Sequence, residues 1–384
     1  MQKTVVATTE NIYKLVQDAI KKNGVNCDLN YIDVSQVTDM SYLFFGSEFI
    51  GDISRWDVSN VTNLSQMFEM SQFNGDISQW DVSKVTDMSR MFANSQFNGD
   101  INRWTVSHVT NMYRMFADSQ FNSDIGEWDV SNVEDMSLMF EMSQFNGDIS
   151  RWKTPRLKNM SRMFCGSKFT GDISEWDVSN VTDMSSLFCG SDFNGNISRW
   201  NVANVTDMSG LFWESKFTDD ISEWNVSNVT TMRGMFFHSQ FKGNISRWDV
   251  SKVNDMSEMF YLSKFTGDIS DWVVSNVTTM QGMFQGGFGK KINPFNGDIS
   301  HWNVSNVMDM RDMFHGSVFK RNIDSWKVKK EAKKQGMFYR CPLENHIPIW
   351  YNSHDTGWKR AAQAKIKEML TSDAGEGDNQ KSEK

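Results

Sequence analysis

Apolar positions recur along this chain in one fixed order. Across Phe73–Gln96, FNGDISQWDVSKVTDMSRMFANSQ, they fall at Phe73, Ile77, Trp80, Val82, Val85, Met88, Met91 and Phe92. Neither the strict alternation of a long strand nor a sustained helical stripe accounts for this spacing. A chain that bends repeatedly about one axis, pointing a side chain inward at each corner, does. Trp80 and Val82, two apart, predict a short strand that turns Gln79 and Asp81 outward. Gly75 predicts a tight or left-handed turn just before it. Val85, Met88, Met91 and Phe92, mostly three residues apart, predict a helical or 3₁₀ turn on the other side of the coil.

That sentence is then repeated. Tryptophan falls every 24 residues from Trp56 to Trp272; the next interval, to Trp302, is 30, and Trp326 follows 24 later. Twelve beats predict a solenoid of twelve coils, each resting on its neighbours. At ~4.8 Å per coil the array spans roughly 60 Å. The six extra residues lie within Gly286–Pro294, GGFGKKINP, and predict a loop on one face of the array.

The spacing Ile77-x-x-Trp80-x-Val82-x-x-Val85-x-x-Met88-x-x-x-Phe92 resembles the BspA-like (Treponema-type) leucine-rich repeat. The likeness is to the bacterial subgroup whose repeats read W-D-V-S-N-V-T-D-M-S-x-M-F, and it extends from about Tyr31 to Phe338. Pro155 stands where most coils carry Ser, a position at which related repeats often have proline. The resemblance implies an α+β repeat fold, a right-handed leucine-rich-repeat-like solenoid of short strands and short helical or 3₁₀ turns. It also implies a binding role, adhesin-like and commonly at a bacterial surface, and no active site.

Four segments follow. Residues 1–30 read as an N-terminal helical cap, started by Thr8 or Thr9, with Ile12, Leu15, Val16, Ala19 and Ile20 on one face and Asn23-Gly24 at its end. Such a helix covers the unpaired edge of a solenoid. Residues 31–338 are the solenoid, and its last coil carries Lys334 in a core methionine slot. Residues 339–371 predict a C-terminal cap: an irregular stretch around Pro342, Pro348 and Trp350, then a helix over 358–370. The polar tail 372–384 reads as disordered.

Composition narrows the function. A net charge of -9 argues against a general nucleic-acid binder, which needs a basic stripe. Glu10, Lys14 and Asp18 interrupt the N-terminal stretch, which therefore reads as neither signal peptide nor membrane span. Taken as a complete chain without a lipobox cysteine, the sequence predicts a cytoplasmic protein or one exported by another route, against the surface location the resemblance implies. Of four cysteines, Cys165 and Cys189 lie 24 apart in one column and read as reduced core fillers, although adjacent coils would allow a bridge. No cysteine or histidine spacing predicts a metal site, and no cofactor is expected.

Columns of residues 24 apart are where a solenoid carries chemistry. The residue before each tryptophan alternates in sign from Arg103 through Glu127, Arg151, Glu175, Arg199, Glu223 and Arg247 to Asp271, predicting ion pairs between coils. The column Asp52, Asp76, Asp100, Asp124, Asp148, Asp172 raises calcium, but it continues with Asn196, Asp220 and Asn244, which favours side-chain caps of turns. Ice binding would need an unbroken threonine array, whereas Thr62, Thr86 and Thr110 give way to Glu134 and Lys158. The six histidines form no repeated partnership with a carboxylate or nucleophile, so no catalytic residue is predicted.

The column following the core phenylalanine varies most: Phe45, Glu69, Ala93, Ala117, Glu141, Cys165, Cys189, Trp213, Phe237, Tyr261, Gln285, His315. Its three consecutive aromatics, Trp213, Phe237 and Tyr261, with Leu262 beside them and Phe288, Lys290 and Lys291 in the inserted loop, form the candidate partner-binding edge. The expected partner is a protein or cell-surface ligand. A purely structural or assembly role is the alternative, followed by a calcium- or ice-binding ladder.

Overall fold

The computed structural model describes residues 4–287, 289 and 291–351. Its regular elements are few: strand β1 (Val5–Val6), helix α1 (Ile12–Asn23), strand β2 (Ile32–Asp33) and a 3₁₀ turn, Pro342–Asn345. Everything between β2 and that turn is coil stacked on coil. The eight apolar positions of the unit all point inward; Phe73, Val85, Met88, Met91 and Phe92 are fully buried, and Trp80 is 4% exposed. Core columns stack ring on ring from coil to coil, as in Phe68–Phe92 (5.6 Å, 3°) and Trp56–Trp80 (6.4 Å, 9°).

The repeat's polar residues build its corners. In three triplets, Asp76-Ile77-Ser78, Asp81-Val82-Ser83 and Asp87-Met88-Ser89, the aspartate Oδ1 accepts the serine N–H at 2.9, 3.0 and 2.8 Å. A fourth corner uses Ser95, whose Oγ accepts the Phe97 N–H at 3.3 Å. Each cap takes a main-chain donor that would otherwise seek a ladder partner, and bends the chain about the buried middle residue. The expected strand at Trp80–Val82 is therefore absent: the segment lies between turns closed by Trp80 N–H to Ile77 O (3.2 Å) and Val85 N–H to Val82 O (2.9 Å).

The expected helical or 3₁₀ turn is absent too. From Met88 to Ser95 the chain makes three successive β-turns, with Met91, Ala93 and Ser95 donating to Met88, Arg90 and Phe92. Between them Met88, Arg90, Phe92 and Asn94 donate to carbonyls of the next coil at 2.7–3.0 Å. This alternation places Arg90 (φ 56°) and Asn94 (φ 55°) in the left-handed region. Most parallel bridges between coils join single residues of the Asp39, Asn63, Asp87, Asn111 column, with others at Asp28–Asp52 and Asn293–Ser317. On the tryptophan side the coils are joined by side chains: each indole N–H donates to the carbonyl of the previous coil, as Trp80 Nε1 does to Ile53 O at 3.2 Å. Gly75 is not left-handed; a methyl there would sit 2.8 Å from the Phe73 ring, which folds back over it.

Helix α1 closes the N-terminal end, burying Ile12, Val16 and Ala19, and stops at Gly24 (φ 90°). It begins at Ile12 rather than at Thr8 or Thr9, because the Asn11 side chain accepts the Thr8 N–H (2.9 Å) and the Thr9 hydroxyl bonds to Thr38 (3.2 Å). Val5 and Val6 pair in parallel with Ile32 and Asp33 and extend the stack by one rung. At the other end the tryptophan column runs past Phe338: Trp350 stacks on Trp326 (6.1 Å) and donates to Ile323 O at 2.8 Å. Lys334 is 3% exposed, and its Nζ donates to the carbonyls of Ala332 (2.7 Å) and Lys330 (3.3 Å). The helix expected over 358–370 and the tail lie outside the described residues.

Candidate functional site

The residue after each core phenylalanine lies on one edge of the solenoid, between two left-handed positions. Read coil by coil, this edge divides into a charged, a thiol and an aromatic stretch.

The charged stretch centres on two buried glutamates, Glu69 (5% exposed) and Glu141 (6%). Arg114 reaches Glu141 Oε2 from the preceding coil at 2.8 Å, and Arg162 reaches Oε1 from the following coil at 2.9 and 2.5 Å. Burial pushes the Glu69 carboxyl up, against the opposing pull of Arg90 and Arg114. Ala93 and Ala117, fully buried, lie between the two glutamates. The sequence marks this column as variable but assigns no role to its glutamates. The missed signal is the column three positions earlier, Arg90, Arg114 and Arg162, whose left-handed backbone sends the guanidinium along the edge.

The aromatic stretch is a ladder. Trp213 and Phe237 stack at 3.7 Å and 7°, and Phe237 and Tyr261 at 4.4 Å and 6°. All three rings are half-buried. Because the stack runs from coil to coil, the rings cover one another's faces and turn their edges to solvent. Trp213 also lies over Gly234, where an added methyl would come within 2.9 Å of the indole. Burial first, then nearby Glu258 and Asp312, push the Tyr261 phenol up. Leu262 adjoins the inserted loop, since a methyl added to Gly287 would lie 3.2 Å from its Cδ2. The loop is closed by Gly287 N–H to Lys291 O (2.6 Å) and anchored by buried Asn293, whose Nδ2 donates to Phe260 O at 2.6 Å. Lys291 and Ile292 are exposed. The structure thus brings Trp213, Phe237, Tyr261, Leu262 and Lys291 onto one edge; Phe288 and Lys290 lie outside the described residues.

The other columns are committed elsewhere. The aspartates considered for calcium accept turn N–H groups, and Asn196 Oδ1 accepts Ser198 N–H in the same way at 3.0 Å. Threonine hydroxyls donate to carbonyls of the previous coil, as Thr86 does to Thr62 at 3.2 Å. The alternating charge column pairs Arg151 with Glu127 at 2.7 Å and Arg247 with Glu223 at 4.0 Å. These side chains are mostly exposed, so each pair adds little to stability. Among the described residues no group of three or more His, Cys, Asp or Glu is placed to hold a metal ion, and no helix is long and apolar enough to cross a membrane.

Stacked coils of one repeat unit, edged by a variable side-chain ladder, define a repeat solenoid. The chain belongs to the family described as "Mycoplasma protein of unknown function, DUF285", which matches it six times in overlapping tandem, over residues 10–120, 93–192, 167–262, 189–293, 237–350 and 288–374. No curated protein and no solved structure matches the chain.

Proposed function

We propose that this protein is a non-catalytic interaction solenoid, a BspA-like recognition or adhesin-like scaffold, and that its partner docks on the edge formed by Trp213, Phe237 and Tyr261 with Leu262 and the 286–294 loop. The observation that carries the reading is the ladder itself. The repeat does not require aromatics in this column, since Ala93 and Ala117 serve in other coils, yet three consecutive coils place half-exposed rings there. Rings held by stacking lose little conformational freedom on binding, and Trp and Tyr are enriched among interface hot spots. The ring edges, the Tyr261 hydroxyl and the loop together offer a mixed apolar and polar strip suited to a protein surface.

The test is capture from native lysate, with and without host-cell extract, by the full chain and by the double variant Trp213→Ala/Tyr261→Ala. A partner that contacts this edge should bind the double variant at least about 2 kcal/mol more weakly, roughly 30-fold. A partner bound equally by both chains overturns the assignment. One observation favours a second reading, a structural spine: the ring faces are already covered by one another. In that case the double variant loses stability and no partner.

A further inference from the structure

Between the charged and aromatic stretches the edge carries Cys165 and Cys189, which neither of them uses. They occupy one column on adjacent coils, and the register is pinned on both sides. Phe164 N–H donates to Leu187 O at 3.0 Å and Gly166 N–H to Cys189 O at 2.6 Å. Equivalent positions on hydrogen-bonded neighbours lie about 4.8 Å apart, inside the ~4.4–6.8 Å Cα range that a disulfide spans. Both thiols are free, and each lies close enough to shift the other's ionisation. They differ in access: Cys165 is buried, 7% exposed, whereas Cys189 is partly open to solvent. Arg162, held by Glu141, puts its positive charge near both sulfurs.

We propose that Cys165 and Cys189 form a two-thiol oxidative modification site, with Cys189 the attacking thiol and Cys165 the resolving one, taking a low-molecular-weight disulfide of the glutathione type as oxidant. The Cys189 thiolate attacks one sulfur of the oxidant, whose S–S bond breaks, and one glutathione thiolate leaves and takes up a proton. Cys165 loses its proton to solvent and attacks Cys189 Sγ, expelling the second glutathione thiolate. Two protein thiols become one disulfide, and one oxidised glutathione becomes two thiols. The division of roles follows from the environment. The neighbouring Cys165 thiol first, then the charge of Arg162, hold Cys189 below the ordinary thiol range, against its burial. The interaction with Cys189, followed by burial, pushes Cys165 up. The thiolate is the nucleophile in exchange, so reaction starts at Cys189. Cys341, buried in the C-terminal cap and pushed up to about 12, is the internal control.

The experiment incubates the reduced full chain with oxidised glutathione at neutral pH, quenches with acid, and reads intact mass and the peptide map. The wild type should lose two hydrogens, yield a peptide linked through Cys165 and Cys189, and fall from four free thiols to two, counted in denaturant. Cys165→Ala should carry one glutathione on Cys189 and no cross-link. Cys189→Ala should leave Cys165 unmodified. Alanine already occupies this column at Ala93 and Ala117, and circular dichroism checks that both variants fold. The wild-type map is decisive by itself. A persistent mixed disulfide on Cys189, first reaction at Cys165, a link from either thiol to Cys27 or Cys341, or an unmodified pair overturns the proposal.

Discussion

Replacing Asp87 by alanine isolates the device that turns this chain into coils. Asp87 is half-buried; its Oδ1 accepts the Ser89 N–H at 2.8 Å, and its main chain bridges both Asn63 and Asn111. Alanine leaves the backbone bridges possible but removes the acceptor from a corner that carries Met88 into the core. A hydrogen bond to a charged acceptor contributes about 1.5–3 kcal/mol and a neutral one about 1. Water can reach part of this site, so Asp87→Ala should cost about 1–2 kcal/mol. Asp87→Asn keeps the acceptor oxygen, and asparagine occupies the same column at Asn63 and Asn111 with the same bond, as Asn63 Oδ1 accepts Ser65 N–H at 2.9 Å. That variant should lie within about 0.5 kcal/mol of the parent. Urea unfolding followed by tryptophan fluorescence and by circular dichroism measures both. An alanine variant as stable as the parent would refute the corner argument. Equal destabilisation would show that the negative charge, not the acceptor, matters.

Three further outcomes are expected. Met142, left-handed at φ 52° and 57% exposed, occupies the column held by Asn94 and Gly166; Met142→Asn should stabilise the chain by about 0.5–1 kcal/mol, seen as a raised urea midpoint. Trp200→Ala, in mid-array and 4% exposed, should cost about 3–5 kcal/mol, whereas Trp350→Ala should cost less and loosen only the C-terminal rung, which hydrogen exchange resolves coil by coil. Asp52, Asp76, Asp148, Asp172, Asp220, Asp268 and Asp298 are held below the usual carboxylate range, first by the serine N–H each accepts. Depressed folded values mean that their contribution is complete above the unfolded value near 4 and is lost as pH falls through the folded values. Thermal stability should therefore show no loss linked to these aspartates above about pH 5 and should fall steeply below about pH 4.

The core was legible because a solenoid repeats its apolar columns, and the tryptophan beat needs no knowledge of backbone geometry. The corners were harder to read. Trp80-Asp81-Val82 alternates in and out as a strand would, yet the same alternation serves a bent segment between two capped turns. The left-handed positions were hidden because Arg90, Leu138 and Met142 occupy them where glycine would have announced them. Trp350 falls on the beat, 24 residues after Trp326, but the prolines around it pointed to irregular structure. On the functional edge the aromatic ladder was visible as a column. The ion-pair stretch was not, because Glu141 meets Arg114 and Arg162 from columns offset by three residues.

Paired cysteines on the exposed threonine column test the central claim, a stack of 24-residue coils, most directly. In a chain whose four native cysteines are replaced by serine, Thr86→Cys with Thr110→Cys joins positions one coil apart, where Thr110 N–H donates to Thr86 O at 2.9 Å. Thr86→Cys with Asn98→Cys joins positions only 12 residues apart but on different sides of one coil. Mild oxidation should cross-link the first pair rapidly and leave the second pair free, because a disulfide spans Cα separations of only about 4.4–6.8 Å. Cross-linking of the pair nearer in sequence, with the 24-residue pair left free, would contradict the stacked-coil architecture.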